Sequence, residues 1–218
     1  MSARIVAIFG NLVVAETDGR VVQNSLAYCV RSDGVRLMSE VIRVRGQLAD
    51  LQVFEETRGL RVGDPVELRD EMLSVVLGPG LLGKIYDGLQ NPLPELAEQV
   101  GFFLQPGVYI HGLALDQSWD FTPVAKPGDI VLAGDPLGSV PEGQFTHQIM
   151  VPLAWRGEYT VEKVTPAGRY TVEQEIAVLA GADGQQRVVT MQQDWPVKRA
   201  LNVSRRRLLP TEPLVSRV

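Results

Sequence analysis

Cysteine is almost missing. Cys29 is the single one in 218 residues, so no disulfide can form within the chain, and a zinc site built on paired cysteines is excluded. Histidine is nearly as scarce: His111 and His147 are the only two, and neither has a second His or a Cys at metal-ligand spacing. Structural or surface roles are expected of both. No run of about 18 apolar residues occurs, and the first residues lack a basic stretch followed by an apolar core, so neither a membrane-spanning helix nor a secretory signal is read. The expected location is cytoplasmic. An excess of positive charge is absent too, with 21 Lys and Arg against 26 Asp and Glu for a net charge of -5, and aromatic residues make up only 6%. Basic fields and stacking platforms are therefore both lacking, which argues against nucleic acid as a partner.

Catalytic signatures are equally thin. Ser139 sits in "PLGSVPEG" without the Gly-x-Ser-x-Gly elbow that would expose a nucleophile between strand and helix. The acid pairs Glu55-Glu56 and Asp70-Glu71 could serve as general acid and base only if one member were buried with a raised pKa, and adjacent carboxylates at strand ends are usually solvated. Cys29, inside the strand-like run "SLAYCV", is expected to pack as a small apolar residue. No catalytic, cofactor-binding or metal residue is assigned in this chain.

What is present is a β texture. At 45% hydrophobic and 22% charged residues the chain has the balance of a globular protein, and its length admits one domain or two to three small ones. From Ala3 to Leu68, β-branched and apolar runs broken by turn signals predict five or six short strands, enough to close a small antiparallel barrel over residues 1–72. A Gly- and Pro-punctuated connector, 73–106, follows with a helix expected from Pro94 to about Leu104, its Leu96, Val100 and Leu104 on one face. Strand-like runs return across 107–192, predicting a second β-rich, barrel-sandwich-like module. Gly63-Asp64, Gly128-Asp129 and Gly134-Asp135 read as turn chemistry in both halves. Residues 193–218 carry Lys198, Arg199, Arg205, Arg206, Arg207 and Arg217 among prolines, and an extended strap is expected there.

The stretch "GPGLLGKI", Gly78 to Ile85, has the Gly-x4-Gly-Lys spacing of a phosphate-binding loop. Ile85 stands where a Ser or Thr hydroxyl would hold magnesium, and the segment runs toward Pro92 and Pro94 instead of straight into a helix whose amides would face a phosphate. The match is read as coincidental, and Lys84 is not assigned to nucleotide.

The same stretch, extended to "SVVLGPGLLGKIYDGLQNPL", resembles the passage that joins barrel and central domain in the catalytic A subunit of vacuolar and archaeal-type rotary ATPases. "GNLVVAE" and "LQVFEETRGLRVGDPVE" resemble that family's barrel strands. "WDFTPVAKPGDIVLAGDPLGSVPE", "HQIMVPLAWRGEYTVEKVTPAGRYTVEQEIAVL" and "TMQQDWPVKRA" resemble the insertion that distinguishes the A subunit from its B partner. Asn91 and Ala200-Leu201-Asn202 depart from the family pattern. The resemblance implies a crown barrel for a hetero-hexamer of A and B subunits, and an insertion that contacts the peripheral stalk. It also implies a place peripheral to the membrane within a proton- or sodium-translocating ATP synthase or ATPase, without direct membrane contact. The family's phosphate loop and catalytic carboxylate lie past the position of Val218. ATP and magnesium are therefore expected only of the full-length subunit, and this chain, expected to be a truncation, should be inactive alone. Two other readings are a biotinyl- or lipoyl-carrier module, which Arg156 in "VPLAWRGEY" disfavours because the first lysine comes at Lys163, and a free-standing adaptor.

Overall fold

The computed structural model describes residues 3–101 and 103–201. The chain divides into two compact units. One runs to Ser74 and includes Leu96–Tyr109 and Pro196–Lys198; the other takes Val75–Glu95, Ile110–Trp195 and the chain from Arg199.

The first unit is built on six antiparallel strands: β1 (Ala3–Phe9), β2 (Leu12–Thr17), β3 (Ser25–Val30), β4 (Arg36–Arg45), β5 (Leu48–Val53) and β6 (Pro65–Met72). They close into a barrel in the order β1-β2-β5-β4-β3-β6, as the alternating runs predict. Inward positions carry Ile5, Val13, Leu37, Val41, Leu51, Val53 and Val66, interleaved with the small Ala15, Ala27, Cys29 and Ala49. A narrow barrel needs that mixture, because large side chains at every inward position would overfill it. Closure is shortest at the β1–β6 seam, where Ala3 pairs with Val66 and Arg4 with Pro65; Ile5 N donates to Asp64 O (2.9 Å) and Gly63 N to Ile5 O (2.7 Å) just beyond it.

Cys29 lies fully inside this core, its Sγ 3.9 Å from the Ser39 hydroxyl. Burial pushes the thiol up to about 11, with the Ser39 contact opposing only part of the shift. Alkylation at pH 8 is therefore expected to be at least a hundredfold slower in the native protein than in denaturant, because both the thiolate and access to it are lost. Native labelling at the unfolded rate would refute the packing role.

The second unit holds two four-stranded antiparallel sheets. One combines β8 (Ser118–Pro123), β10 (Pro136–Glu142), β11 (Phe145–Met150) and β13 (Gly168–Thr171); the other combines β9 (Ile130–Val131), β12 (Tyr159–Val164), β14 (Ala177–Gly181) and β15 (Gln186–Val189). Phe121, Leu137, Val140 and Ile149 from the first share one core with Val131, Val161, Leu179 and Val189 from the second. That is the two-layer arrangement in which each sheet buries one face.

The Gly-Asp pairs do what their chemistry predicts, and they do it identically. At Arg61–Asp64, Lys126–Asp129 and Leu132–Asp135 the fourth residue's N–H donates to the first carbonyl (3.1, 3.1 and 2.9 Å). Its carboxylate accepts from the first N–H in turn (2.8, 2.7 and 2.9 Å). The glycines stand at φ +96°, +94° and +85°, the third-position conformation of such a turn, which side chains resist.

Three features differ from the sequence reading. The stretch expected as a connector with a short helix also supplies β7 (Ser74–Leu77), which pairs with β16 (Gln193–Pro196) from the stretch expected as an extended strap. Pairing between residues some 120 positions apart leaves no local signal in either run. The helix α1 spans Leu93–Val100, not Pro94 to Leu104. Gly101, at φ +81°, donates to Ala97 O and stops it, and Phe103 is left 87% exposed instead of packing. Past β16, Lys198 Nζ reaches the buried Glu40 (2.7 Å) on the barrel. Arg205, Arg206, Arg207 and Arg217 lie outside the described residues.

Candidate functional site

The stretch 78–85 folds as two tight turns, not as a loop leading into a helix. Gly78 comes close to the chain at Met191: a Cβ there would sit 3.1 Å from the Met191 carbonyl oxygen and 2.9 Å from Leu113. Gly80 adopts φ +106°. Pro79 between them fixes the turn.

The amide groups this arrangement frees point at one atom. Gly80 N (2.7 Å) and Leu82 N (3.1 Å) both donate to Glu142 Oε1. Glu142 is the last residue of β10, and period-two alternation places it on the same face as the buried Val140. His147, on β11, shares the face of the buried Ile149 and places Nδ1 2.6 Å from Glu142 Oε2. A carboxylate only 6% exposed thus has donors on both oxygens, as a buried charge requires.

Lys84, the residue a phosphate loop would use, is committed elsewhere. Its Nζ lies 2.7 Å from Glu95 Oε1 in the first turn of α1, and that hydrogen bond chiefly holds the Glu95 carboxyl below its usual range. Tyr86 donates to Gly112 O (2.9 Å); burial raises its hydroxyl, and the Glu95 and Glu142 charges add to the rise. Asn91, where the family pattern departs, is buried and fully engaged. It donates N and Nδ2 to Asp87 (both 2.8 Å) and accepts Ile110 N on Oδ1 (2.8 Å).

The other residues singled out in the sequence are dispersed. Glu55 accepts from the Tyr109 hydroxyl and from Gly107 N (2.8 Å), while Glu56 pairs with the exposed Arg58 (2.9 Å). Asp70 and Glu71 are exposed on β6, and Ser139 lies inside β10. His111 Nδ1 lies 3.0 Å from Leu113 O and 3.2 Å from Leu113 N, a local turn. Lys163 lies in β12, paired with Glu175 (2.9 Å), and the β10–β11 hairpin turn is Gly143-Gln144, so no described hairpin tip presents a carrier lysine there. Among the described residues, no three His, Cys, Asp or Glu side chains gather as for a metal.

Sequence reasoning missed Glu142 entirely. Its partners lie 60 residues away, and the one available signal was an acid at the core-facing end of a strand, a position that demands donors from somewhere.

Surface features complete the inventory. In the second unit a cleft of about 360 Å³ is lined by Trp155, Arg156, Trp195, Arg199 and neighbouring leucines, alanines and a glycine; the Arg199 guanidinium sits 5.9 Å from the Trp195 ring centroid. On the barrel, a groove runs beside the β1–β6 seam between Arg4 and Arg69, and Phe9 and Val62 are both exposed. No helix among the described residues is long and apolar enough to cross a membrane.

Comparison with known proteins follows the same division. Residues 5–69 match the beta-barrel domain of the ATP synthase alpha/beta family, and residues 110–198 match the ATP synthase alpha/beta subunit barrel-sandwich domain. The V-type ATP synthase alpha chain of Treponema denticola is 49% identical over 215 residues, 99% of this chain and 36% of that protein. The alpha chains of Borreliella burgdorferi (strain ZS7) and Borrelia hermsii are 47% and 45% identical over 213 residues, 98% of this chain and 37% of each. The chain therefore spans little more than a third of the length of the curated relatives it matches. With both domains present in order and nearly half the residues shared, the chain belongs to the ATP synthase alpha/beta family, on the side of the V-type alpha chains.

Proposed function

We propose that this chain is the assembly and partner-binding portion of a V-type alpha chain, the A subunit of a rotary ATP synthase or ATPase. In this reading the barrel helps to close a ring with B subunits, and the second module meets the peripheral stalk. The carrying observation is the identity of 45–49% with V-type alpha chains over essentially the whole chain. The closed barrel supports the ring role, because a collar under load needs strands with few free edges. The cleft beside Trp155 and Trp195, flanked by the exposed Arg156 and Arg199, supports a partner-facing second module. Nucleotide chemistry is assigned to the rest of the subunit. Here the only near-match to a phosphate loop has its amides on Glu142 and its lysine on Glu95.

Two measurements test this. The 218-residue chain should show no magnesium-dependent ATP turnover, and Lys84→Ala should change nothing; turnover abolished by that substitution would overturn the assignment. In the full-length subunit, replacing residues 112–188 by a short linker should leave the hexamer able to form while stalk subunits no longer bind it. Undiminished stalk binding would remove the second role and leave the first.

A further inference from the structure

We infer that the turn at Gly78–Leu82 is an oxyanion site in its own right, whose resident anion is the chain's own Glu142 carboxylate, and that this intramolecular ligand locks the turn onto the β10–β11 hairpin. The site has the chemistry that recognises a carboxylate, sulfate or phosphate oxygen. Two backbone N–H groups two positions apart converge on a single oxygen at 2.7 and 3.1 Å, in a turn whose glycines let the backbone curve around it. The carboxylate is not there to cap a strand, since its own strand partner is Phe145 across the hairpin. It reaches some 60 residues back along the sequence, and its second oxygen is held by His147.

This arrangement also explains why the stretch looks like a phosphate loop without acting as one. Glycines that free amides for an anion are present, and so is an anion. It is covalently attached, so its effective concentration is far above that of any free ion in solution. An external oxyanion cannot compete while Glu142 is in place. Without it, these part-buried amides turn to water or to another oxyanion, because an N–H is not left without an acceptor. The groups facing Glu142 are the two amides, His147 and, at longer range, the Tyr86 hydroxyl. No described Lys or Arg contacts it, so the turn's amides on one oxygen and His147 on the other are its partners.

The test is amide hydrogen exchange resolved by NMR on the 218-residue chain, in wild type, Glu142→Ala and Glu142→Gln, with sodium sulfate as the probe at constant ionic strength. In Glu142→Ala, exchange at Gly80 and Leu82 should rise about ten- to a hundredfold, while the core amides of Val161 and Leu179 stay protected. Sulfate should slow Gly80 and Leu82 again, saturably and with concerted shifts of those two resonances, and should do nothing to them in wild type. Glu142→Gln keeps an acceptor of the same size and loses the charge. It should exchange faster than wild type at the same two amides by a smaller factor, which keeps the inference testable if the alanine variant does not fold. Unchanged exchange at Gly80 and Leu82 in whichever variant folds would overturn the lock. Sulfate acting equally on wild type and Glu142→Ala would overturn the oxyanion site.

Discussion

Phe121→Ala is expected to lower the stability of the second unit by about 3–5 kcal/mol while leaving the barrel's transition where it is. Phe121 is fully buried between the two sheets. Its ring lies over Gly138 so closely that a Cβ there would fall 2.2 Å from Phe121 Cε2, and Tyr170 meets it edge-on at 6.3 Å. Removing the ring empties a space that glycine cannot refill. Gly138→Ala should be costly from the other side, because its Cβ would also come within 2.7 Å of the Thr122 carbonyl oxygen, and backbone cannot swing away as a side chain can. Combining Gly138→Ala with Phe121→Leu should therefore recover only part of the loss. The readout is built in: Trp119, Trp155 and Trp195 all belong to the second unit, so tryptophan fluorescence during urea unfolding follows that unit, while far-UV circular dichroism follows both. A fluorescence midpoint that Phe121→Ala fails to shift would refute the assigned packing.

The barrel strands and Gly-Asp turns were legible in sequence because their causes are local. Alternation along "LADLQV" reports one residue's neighbours two positions away, and a glycine before an aspartate reports its own φ and the carboxylate that closes the turn. What escaped was non-local. The run "SVVL" of β7 has strand character, but nothing near it names β16 as its partner. Apolar spacing through Leu96 and Val100 carries the expected helix on to Leu104, whereas Gly101 ends it. The candidate site shows the same division. Ile85 and the prolines argue locally against a nucleotide role for Lys84, and in the structure Lys84 pairs with Glu95. The actual occupant of the turn, Glu142, required knowledge of which strand end lies beneath it, and no periodicity carries that.

Charge placement on the barrel supports a second large effect. Asp50 faces outward on β5, yet its side chain is only 1% exposed, because Arg43 (2.6 Å, Nε to Oδ2) and Arg45 (2.7 Å, Nη2 to Oδ1) fold over it from β4. Both guanidiniums remain more than half exposed, so the pair is asymmetric: the arginines keep much of their water and the carboxylate does not. Removing one arginine leaves the other in place and should cost little. Removing both uncovers the carboxylate to water and loses both ion pairs together, and should cost about 1–2 kcal/mol, more than the sum of the singles. Asp50→Asn instead releases two solvated cations and should cost about 1 kcal/mol or less at neutral pH. Hydrogen bonding by Arg45 first, then by Arg43, outweighs the opposing effect of burial and holds the Asp50 carboxyl below its usual range. A depressed folded-state value means that the stabilisation is fully present above the unfolded aspartate pKa of about 3.9 and is lost as pH falls through the folded value. The stability difference between wild type and Asp50→Asn should accordingly stay flat from neutral pH to about 5 and shrink below about 4. Urea unfolding of both proteins across that range, followed by circular dichroism, measures it; a difference that persists undiminished to pH 2 would show that the arginines do not stabilise the charged form of Asp50.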